Sequence, residues 1–205
     1  MTELFISAFV TFFVVIDPPG CAPIFASLTN GAPTSHRRAM ALRSTMVAAL
    51  ILFAFALGGK AFLSALHVSL DAFRIAGGIM LFLIALDMVF EKRTARRENR
   101  AQDVMAQEHD DISIFPMGIP MIAGPGSIAS AMLLTSREDG WSERVVVLGA
   151  LAATLVLTMV SLLLAGPLMK LLGYRLEAMI TRVLGVILAA LAAQFVIDGV
   201  KASFL

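Results

Sequence analysis

The proline-rich stretch Asp17-Pro18-Pro19-Gly20-Cys21-Ala22-Pro23 interrupts an apolar run that begins at Leu4 and ends near Leu28. Each proline lacks a backbone N–H and clashes with the preceding helical turn, so a straight α-helix cannot pass through this stretch. The residue before a proline also avoids the α region, which places Asp17 at or just past the end of a helix. We therefore expect the first apolar segment to be a broken helix.

A second apolar run is interrupted about 106 residues later, by Gly118-Ile119-Pro120 and then by Ala123-Gly124-Pro125-Gly126-Ser127. Interrupted hydrophobic segments at corresponding positions in two halves of a chain are typical of the binding site of a membrane transporter. The pair of interruptions predicts such a site, whereas proline kinks that only help helices to pack are the structural alternative.

The composition indicates an integral membrane protein. Of the 205 residues, 59% are hydrophobic and only 15% are charged, whereas about 25% are charged in soluble domains. The first apolar run lacks a basic region before it, so we expect a membrane span rather than a signal peptide. One cysteine excludes an intramolecular disulfide, and the three histidines lack metal-ligand spacing. We expect no metal, no cofactor and no nucleic-acid partner.

Six apolar segments predict six transmembrane helices. Most of them approach the roughly 20 residues needed to cross the hydrocarbon core, and no recurrent alternation of apolar and polar residues indicates strands. Backbone groups in lipid must be satisfied within the protein, so the interruptions should face protein or a cavity. The segments cover about residues 4–28 (broken), 44–66, 74–90, 112–134 (broken), 145–168 and 182–200.

The two halves of the chain resemble each other. Leu70-Asp71-Ala72-Phe73 resembles Leu176-Glu177-Ala178-Met179, and Arg74-Ile75-Ala76-Gly77-Gly78-Ile79 resembles Arg182-Val183-Leu184-Gly185-Val186-Ile187. These matches have nearly the same spacing as the two interruptions, which indicates an internal duplication. Because each half has three spans, the second half must enter the membrane from the opposite side. We expect two inverted three-helix repeats.

The charged residues 91–111 separate the first repeat, residues 1–90, from the second, residues 112–205, within one membrane domain. We expect them to form a solvated linker. The loops after spans one, three and five carry more than twice as many Lys and Arg residues as the other side, so they should be cytoplasmic and both termini should lie outside. The basic residues of these three loops are Arg37, Arg38 and Arg43; Lys92, Arg93, Arg96, Arg97 and Arg100; and Lys170, Arg175 and Arg182.

The interruptions supply the candidate substrate-binding residues. Half-helix N-termini attract anions such as a carboxylate, and half-helix C-termini offer carbonyls to cations. Glycines there would let a ligand approach the backbone. A carboxylate within a span is costly unless it is paired, protonated or hydrated, so Asp17 should bind a cation, proton or ammonium group, or else cap the following half-helix. The candidates are Asp17, Pro18, Gly20, Cys21, Pro120, Gly124, Pro125, Gly126, Ser127 and Gln194.

Other polar or small residues in the spans have structural interpretations as well. Asp87 and Gln194 occupy near-equivalent positions of spans three and six, where they would line a polar path, be hydrated, or bond between helices. Arg74 and Arg182 should extend to the headgroups. Gly185, Ala189 and Ala193 form a stripe that lets helices pack closely.

The two interrupted motifs resemble those of the MarC family of bacterial inner-membrane proteins, which includes small neutral amino-acid transporters. The resemblance rests on Asp17–Phe25, on Ile119–Ile128 and on the glycine-bearing third and sixth helices. It covers nearly the whole chain and implies six spans and an inner-membrane location. The family pattern usually has Asn where this chain has Cys21 and one large apolar residue at Pro19.

We expect a transporter that moves a small zwitterionic solute, such as Ala, Gly or Ser, by alternating access. A Na⁺ or H⁺ gradient is the expected coupling force, the lipid bilayer is the expected environment, and a homo-oligomer is left open. An intramembrane enzyme is disfavoured because only Asp17 is clearly an acid at membrane depth and no Ser-His pair or metalloprotease motif occurs in the spans. A passive channel is disfavoured because no charged ring of one sign is evident.

Overall fold

The computed structural model describes residues 1–93, 96–99, 111–136 and 140–204, except for the side chains of residues 172, 174 and 175. All regular structure in these ranges is helical. The main helices are α1 (Thr2–Ile16), α2 (Pro18–Leu28), α3 (Thr34–Ala65), α4 (Leu70–Val89), α5 (Ser113–Ile122), α6 (Pro125–Ser136), α7 (Trp141–Leu163) and α8 (Ala165–Phe204).

Within the described ranges, five helical segments are long and apolar enough to cross a membrane. There are six if α5 and α6, which meet at an angle of 54°, count as one span. Large apolar side chains lie exposed on the outer faces of the bundle, including Leu50, Leu57 and Val183. Such extensive apolar surface is unfavourable in water and suits contact with lipid. The structure therefore confirms an all-helical protein with the features of an integral membrane protein.

Several helices extend beyond the apolar segments of the sequence. The segment expected at 44–66 belongs to α3, which begins at Thr34. The segment expected at 182–200 belongs to α8, in which Gly173 adopts a non-helical conformation with φ 67°. Apolar composition marks the part of a helix that suits lipid, whereas backbone hydrogen bonds continue into its polar ends. The apolar pattern therefore located the helices and underestimated the lengths of α3 and α8.

The first proline interruption separates α1 from α2 at Asp17. Asp17 adopts a left-handed conformation with φ 60° and ψ 65°, and its N–H still bonds the carbonyl of Phe13. Its side chain accepts a hydrogen bond from the N–H of Gly20, 3.1 Å away, while Pro18 begins the next helix. Proline suits the first position of a helix because that position needs no N–H donor. One residue thus ends α1 and caps α2.

The second interruption separates α5 from α6. Hydrogen bonds in α5 join residues five apart, as from the N–H of Ala123 to the carbonyl of Gly118, and Ile119 is extended. After Ala123 and Gly124 the chain begins α6 at Pro125. Because α5 contains two prolines, it cannot form a regular ladder of i→i+4 bonds.

Helices α4 and α8 pack closely and antiparallel through glycines. A methyl group built on Gly78 would lie 2.9 Å from the carbonyl oxygen of Ala192, and one on Gly185 would lie 2.8 Å from Cβ of Met88. Within the predicted Gly185-Ala189-Ala193 stripe, Gly185 is buried in this interface but Ala193 is exposed. Close approach therefore depends on Gly78 and Gly185 rather than on the full stripe.

The remaining helix contacts follow a regular pattern. Helix α1 packs on α7 as α5 packs on α3, and α2 packs on α8 as α6 packs on α4. Exchanging each helix of the first half for its counterpart in the second half thus gives the same set of contacts. This arrangement places the α1–α2 and α5–α6 junctions in the interior, beside the start of the charged stretch after α4.

Candidate functional site

Asp17 is the centre of a buried polar cluster. Its side chain is 1% exposed, and its Oδ2 atom lies 3.0 Å from a guanidinium nitrogen of Arg97. Its Oδ1 atom accepts the Gly20 hydrogen bond. The two interpretations of Asp17, as a helix cap and as a partner for a positive charge, therefore both apply. The positive charge comes from the chain itself.

Arg97 was not expected at this place. It belongs to residues 91–111, for which the sequence predicted a solvated linker, yet it is only 7% exposed. Lys92, Arg96, Glu98 and Asn99 are exposed as predicted. The expectation fails for Arg97 because a buried carboxylate needs a counter-charge, and Arg97 supplies one to Asp17.

Arginines 93 and 97 also satisfy carbonyls at the ends of two half-helices. Arg93 donates to the Val15 carbonyl, 2.6 Å away in the last turn of α1. Arg97 donates to the Met121 carbonyl, 3.4 Å away near the end of α5. The last carbonyls of a helix lack partners within the helix and carry partial negative charge. The two guanidinium groups therefore join both junctions to the stretch that follows α4.

A cavity of about 220 Å³ lies beside these arginines. It is smaller than the roughly 300–1,000 Å³ pockets that hold drug-sized ligands, so it suits a small solute. The lining residues come from the end of α1, from α4, from the α5–α6 junction and from the stretch after α4: Val15, Ile84, Asp87, Arg93, Arg96, Arg97, Pro120, Met121, Gly124, Pro125, Gly126 and Ser127.

The described lining of the cavity carries more positive than negative charge. It has three guanidinium groups, from Arg93, Arg96 and Arg97, and the carboxylate of Asp87. Asp87 pairs with Arg96, and Asp17 pairs with Arg97. Arg93 instead bonds the Val15 carbonyl and the sulfur of Met88, so no carboxylate bonds it among the described residues.

Arg93 keeps its charge at neutral pH. Burial, and after it the positive charge of Arg97, lowers the pKa of Arg93 to about 10. This pKa is still well above 7, so the guanidinium remains protonated. Arg93 is therefore available as a cationic partner for an anionic group in the cavity.

The N-terminus of α6 adds a second attraction for anions. Gly124 accepts the first bond of the helix, from the N–H of Ile128, so the N–H groups of Gly126 and Ser127 lie in the first turn at the cavity. The same turn of α2 is capped by Asp17, whereas α6 has Gly124 at the corresponding position and no side chain to act as a cap. The two junctions therefore differ, because only the first carries its own anion.

The structure gives other reasons for the glycines than the one predicted from sequence. Gly20 and Gly126 have no positive φ, and a methyl group on Gly20 would collide with the carboxylate of Asp17. A methyl group on Gly126 would lie 2.5 Å from Cδ1 of Ile84. Gly20 therefore makes room for the cap, and Gly126 makes room for α4, although Gly126 also lines the cavity.

The other predicted site residues separate into two groups. Pro120, Gly124, Pro125, Gly126 and Ser127 line the cavity, whereas Asp17, Pro18, Gly20 and Cys21 lie buried behind it. Gln194 is not brought to the cavity. It is exposed on α8, where it donates to Asp198 at 2.6 Å. Asp87, its near-equivalent in the first repeat, is brought to the cavity.

Cys21 lies behind the first junction. Its sulfur is fully buried and lies 3.6 Å from the carbonyl oxygen of Ile16, the last residue of α1. A thiol is a weak donor, so it satisfies this carbonyl less well than an amide would. The position where the resemblance implies Asn is therefore a helix-end position in this chain.

Sequence reasoning missed a second buried acid, Glu177. It is 1% exposed and accepts a hydrogen bond from the Thr181 hydroxyl at 3.2 Å. The sequence showed Glu177 only as the counterpart of Asp71 in the repeat. The available signal was a carboxylate at the start of an apolar run.

Arg74 and Arg182 form ion pairs with Asp71 and Glu91, respectively.

These features define a multi-pass integral membrane protein with a polar cavity between two helix junctions. The chain belongs to the MarC family of integral membrane proteins, whose family model matches residues 2–204. A UPF0056 membrane protein of Methanocaldococcus jannaschii is 36% identical over 203 residues, covering 99% of this chain and 98% of the relative. The UPF0056 membrane protein YvbG of Bacillus subtilis is 32% identical over 210 residues, covering 100% of this chain and 97% of the relative. No solved structure matches the chain.

Proposed function

We propose that this protein is a carrier of small zwitterionic solutes, with neutral amino acids such as alanine, glycine and serine as the substrate class. The observation that carries the proposal is the 220 Å³ cavity, in which Arg93, which no carboxylate among the described residues bonds, lies with the first turn of α6. Both attract a carboxylate. Asp87 is the carboxylate of the described lining and is the partner for the ammonium group, in place of the exposed Arg96.

The helix packing supports alternating access by two inverted three-helix repeats. Gly78 against Ala192 and Gly185 against Ala85 are the same contact with the two halves exchanged. A shift of 107 residues turns 78 into 185 and 85 into 192, so the contacts pair Gly185 with Gly78, one residue after the Gly77 of the sequence match. Leu81 and Leu188, also 107 apart, are both fully buried. Equivalent helices that cross antiparallel in this way suit a two-fold axis in the membrane plane. In this proposal α1–α2 and α5–α6 are broken spans, which gives six spans.

The distribution of charged contacts supports an inner-membrane orientation with the stretch after α4 in the cytoplasm. Arg43 pairs with Asp111 at 3.0 Å, and Arg182 pairs with Glu91. The guanidinium of Arg37 lies beside Gly166. The three basic loops therefore meet on one side of the bundle, as the positive-inside rule requires of cytoplasmic loops.

An enzyme remains the weaker proposal although Glu177 adds a second buried acid. An intramembrane aspartyl enzyme needs two carboxyl groups that are free to share a proton and activate water. Asp17 bonds both Arg97 and the Gly20 N–H, so both of its oxygens already have structural partners.

Counterflow in proteoliposomes tests the carrier proposal. Liposomes loaded with unlabelled alanine should transiently accumulate external labelled alanine above equilibrium, since a carrier exchanges solute on both sides. Ethylamine, which lacks the carboxylate, should neither exchange nor compete.

Three results would contradict the proposal. Labelled alanine that enters empty and loaded liposomes equally would indicate a channel. Chemical conversion of the label would indicate an enzyme. Absence of counterflow for alanine, glycine and serine would exclude this substrate class.

A further inference from the structure

Glu177 is a buried carboxyl group whose hydrogen bonding is incomplete. It lies on α8 with 1% of its surface exposed, and its Oε1 atom accepts the hydroxyl bond from Thr181. Within the described residues, no donor reaches its Oε2 atom. A buried polar atom without a partner is costly, and a buried charge without a counter-charge is more costly still. Glu177 therefore needs a further ligand.

The described surroundings of Glu177 contain fewer positive charges than carboxyl groups. Among the described residues, the ionisable groups around Glu177 are Asp17 and Cys21 from the first junction, and Arg97 and Glu98 from the stretch after α4. Arg97 is the positive charge among them, and Asp17 already bonds it at 3.0 Å. One guanidinium thus serves two buried carboxyl groups.

We propose that Glu177 is a proton-binding site, and that its proton is coupled to the cavity through Arg97. A proton on Glu177 neutralises the carboxylate, which removes the excess negative charge and most of the cost of burying the group. A sodium ion fits less well, because a hard cation requires several oxygen ligands around it, whereas the described contacts of Glu177 are one hydroxyl, from Thr181, and the nearby guanidinium of Arg97.

The coupling follows from the position of Arg97. Its guanidinium contacts Asp17, the Met121 carbonyl and the cavity. When Glu177 releases its proton to water, the new carboxylate attracts Arg97 in competition with Asp17 and Met121. Proton release therefore moves a wall of the cavity and changes the affinity of the cavity for its solute. By reciprocity, a bound solute changes the affinity of Glu177 for its proton by the same factor. This coupling step rests on the carrier function proposed above, whereas the proton site itself does not.

Infrared difference spectroscopy tests the proton site without any transport. Purified protein in liposomes is taken from acidic to alkaline pH in ¹H₂O and in ²H₂O. We expect a carboxylic-acid carbonyl band that shifts in ²H₂O and disappears in Glu177→Gln. Asp71→Asn is the matched control, because Asp71 is the repeat counterpart of Glu177 but pairs with Arg74 at 3.3 Å. It should keep the band.

A second variant guards against misfolding of Glu177→Gln. Thr181→Val retains the acid and removes its hydroxyl donor, so the same band should remain and change in frequency. Identical spectra for wild type, Glu177→Gln and Thr181→Val would overturn the proposal.

Uptake measurements test the coupling. An inward proton gradient should stimulate alanine uptake by wild type and Asp71→Asn by about fivefold or more. Glu177→Gln should lose this stimulation and retain counterflow. Stimulation by a sodium gradient in place of a proton gradient, or full proton stimulation in Glu177→Gln, would overturn the proposal. Absence of wild-type counterflow together with a Glu177 band would reject the carrier function and leave the proton site.

Discussion

The ion pair between Asp17 and Arg97 shows how far a residue's neighbours in space determine its role. Asp17→Asn keeps an oxygen that can cap α2, because Asn and Asp cap helices about equally well. It also leaves the buried Arg97 guanidinium without its carboxylate. Removing one partner of a buried pair costs about 3–5 kcal/mol. We therefore expect a clear loss of stability.

The double substitution Asp17→Asn with Arg97→Gln separates charge from shape. It removes both charges and keeps hydrogen-bonding groups toward Gly20 and Met121. We expect each single variant to lower the temperature at which purified protein loses its monodisperse peak in size-exclusion chromatography. The double variant should recover most of the difference. A double variant whose loss of stability equals the sum of the two single losses would show that the pair's charges do not act on each other.

Gly126 supports a second prediction at this scale. Gly126→Ala should press its methyl group against Cδ1 of Ile84, 2.5 Å away, and push that side chain into the cavity. Overpacking of this kind costs about 1–3 kcal/mol. We expect alanine binding, measured by calorimetry, to weaken roughly tenfold, which corresponds to about 1.4 kcal/mol.

Ile84→Val supplies the compensating change for Gly126→Ala, because valine lacks the Cδ1 atom. The Gly126→Ala, Ile84→Val variant should bind more tightly than Gly126→Ala alone. Gly58→Ala is the control, since a methyl group on Gly58 would meet no atom within 4 Å. If wild type and Gly126→Ala bound alanine equally well, the contact with Ile84 would not be the reason for a glycine at this position.

At the scale of elements, the interface between α4 and α8 depends on atoms that cannot move aside. A methyl group on Gly78 would approach the backbone of Ala192 and Val196, and one on Gly185 would approach Met88 and the Ala85 carbonyl at 3.1 Å. We expect Gly78→Ala and Gly185→Ala to lower stability by similar amounts, about 1–3 kcal/mol each. Thermal unfolding in detergent measures this loss.

Gly149→Ala is the matched control for the α4–α8 interface. It lies in α7, and a methyl group there would contact nothing within 4 Å. Its effect should be neutral or slightly stabilising, because alanine favours a helix over glycine by about 0.5–1 kcal/mol. If Gly149→Ala lost as much stability as Gly185→Ala, the loss would come from replacing any helix glycine and not from the α4–α8 contact.

The sequence predicted the elements better than the contacts between them. Both junctions were predictable because proline acts on its own helix, through a missing donor and a local clash. The cluster behind them was not, since Arg97 follows Asp17 by 80 residues and its charged neighbours suggested a solvated segment. Glu177 was missed for the same reason, because its burial depends on the packing of α2 and the stretch after α4.

At the scale of the whole molecule, the proposed inverted arrangement of the two halves predicts the sidedness of the loops and termini. The basic loops meet on one side of the bundle, through Arg43 with Asp111 and Arg182 with Glu91. Three spans in each half place the two termini on the opposite side. In a Cys21→Ser background, Lys92→Cys and Asn99→Cys should react with an impermeant maleimide only in inverted membrane vesicles. Thr2→Cys and Ser203→Cys should react in intact cells.

This labelling pattern distinguishes inverted from parallel repeats. An even number of spans in each half would place Thr2 and Lys92 on the same side, so labelling of both in intact cells would contradict three spans in the first half. Ser35→Cys provides an internal check, because the first turn of α3 should be cytoplasmic and label together with Lys92→Cys. Each of these positions is exposed in the described structure, so failure to react reflects the side of the membrane. Reaction of Ser35→Cys in intact cells would place the first junction in a re-entrant hairpin and remove the two-fold relation between the halves.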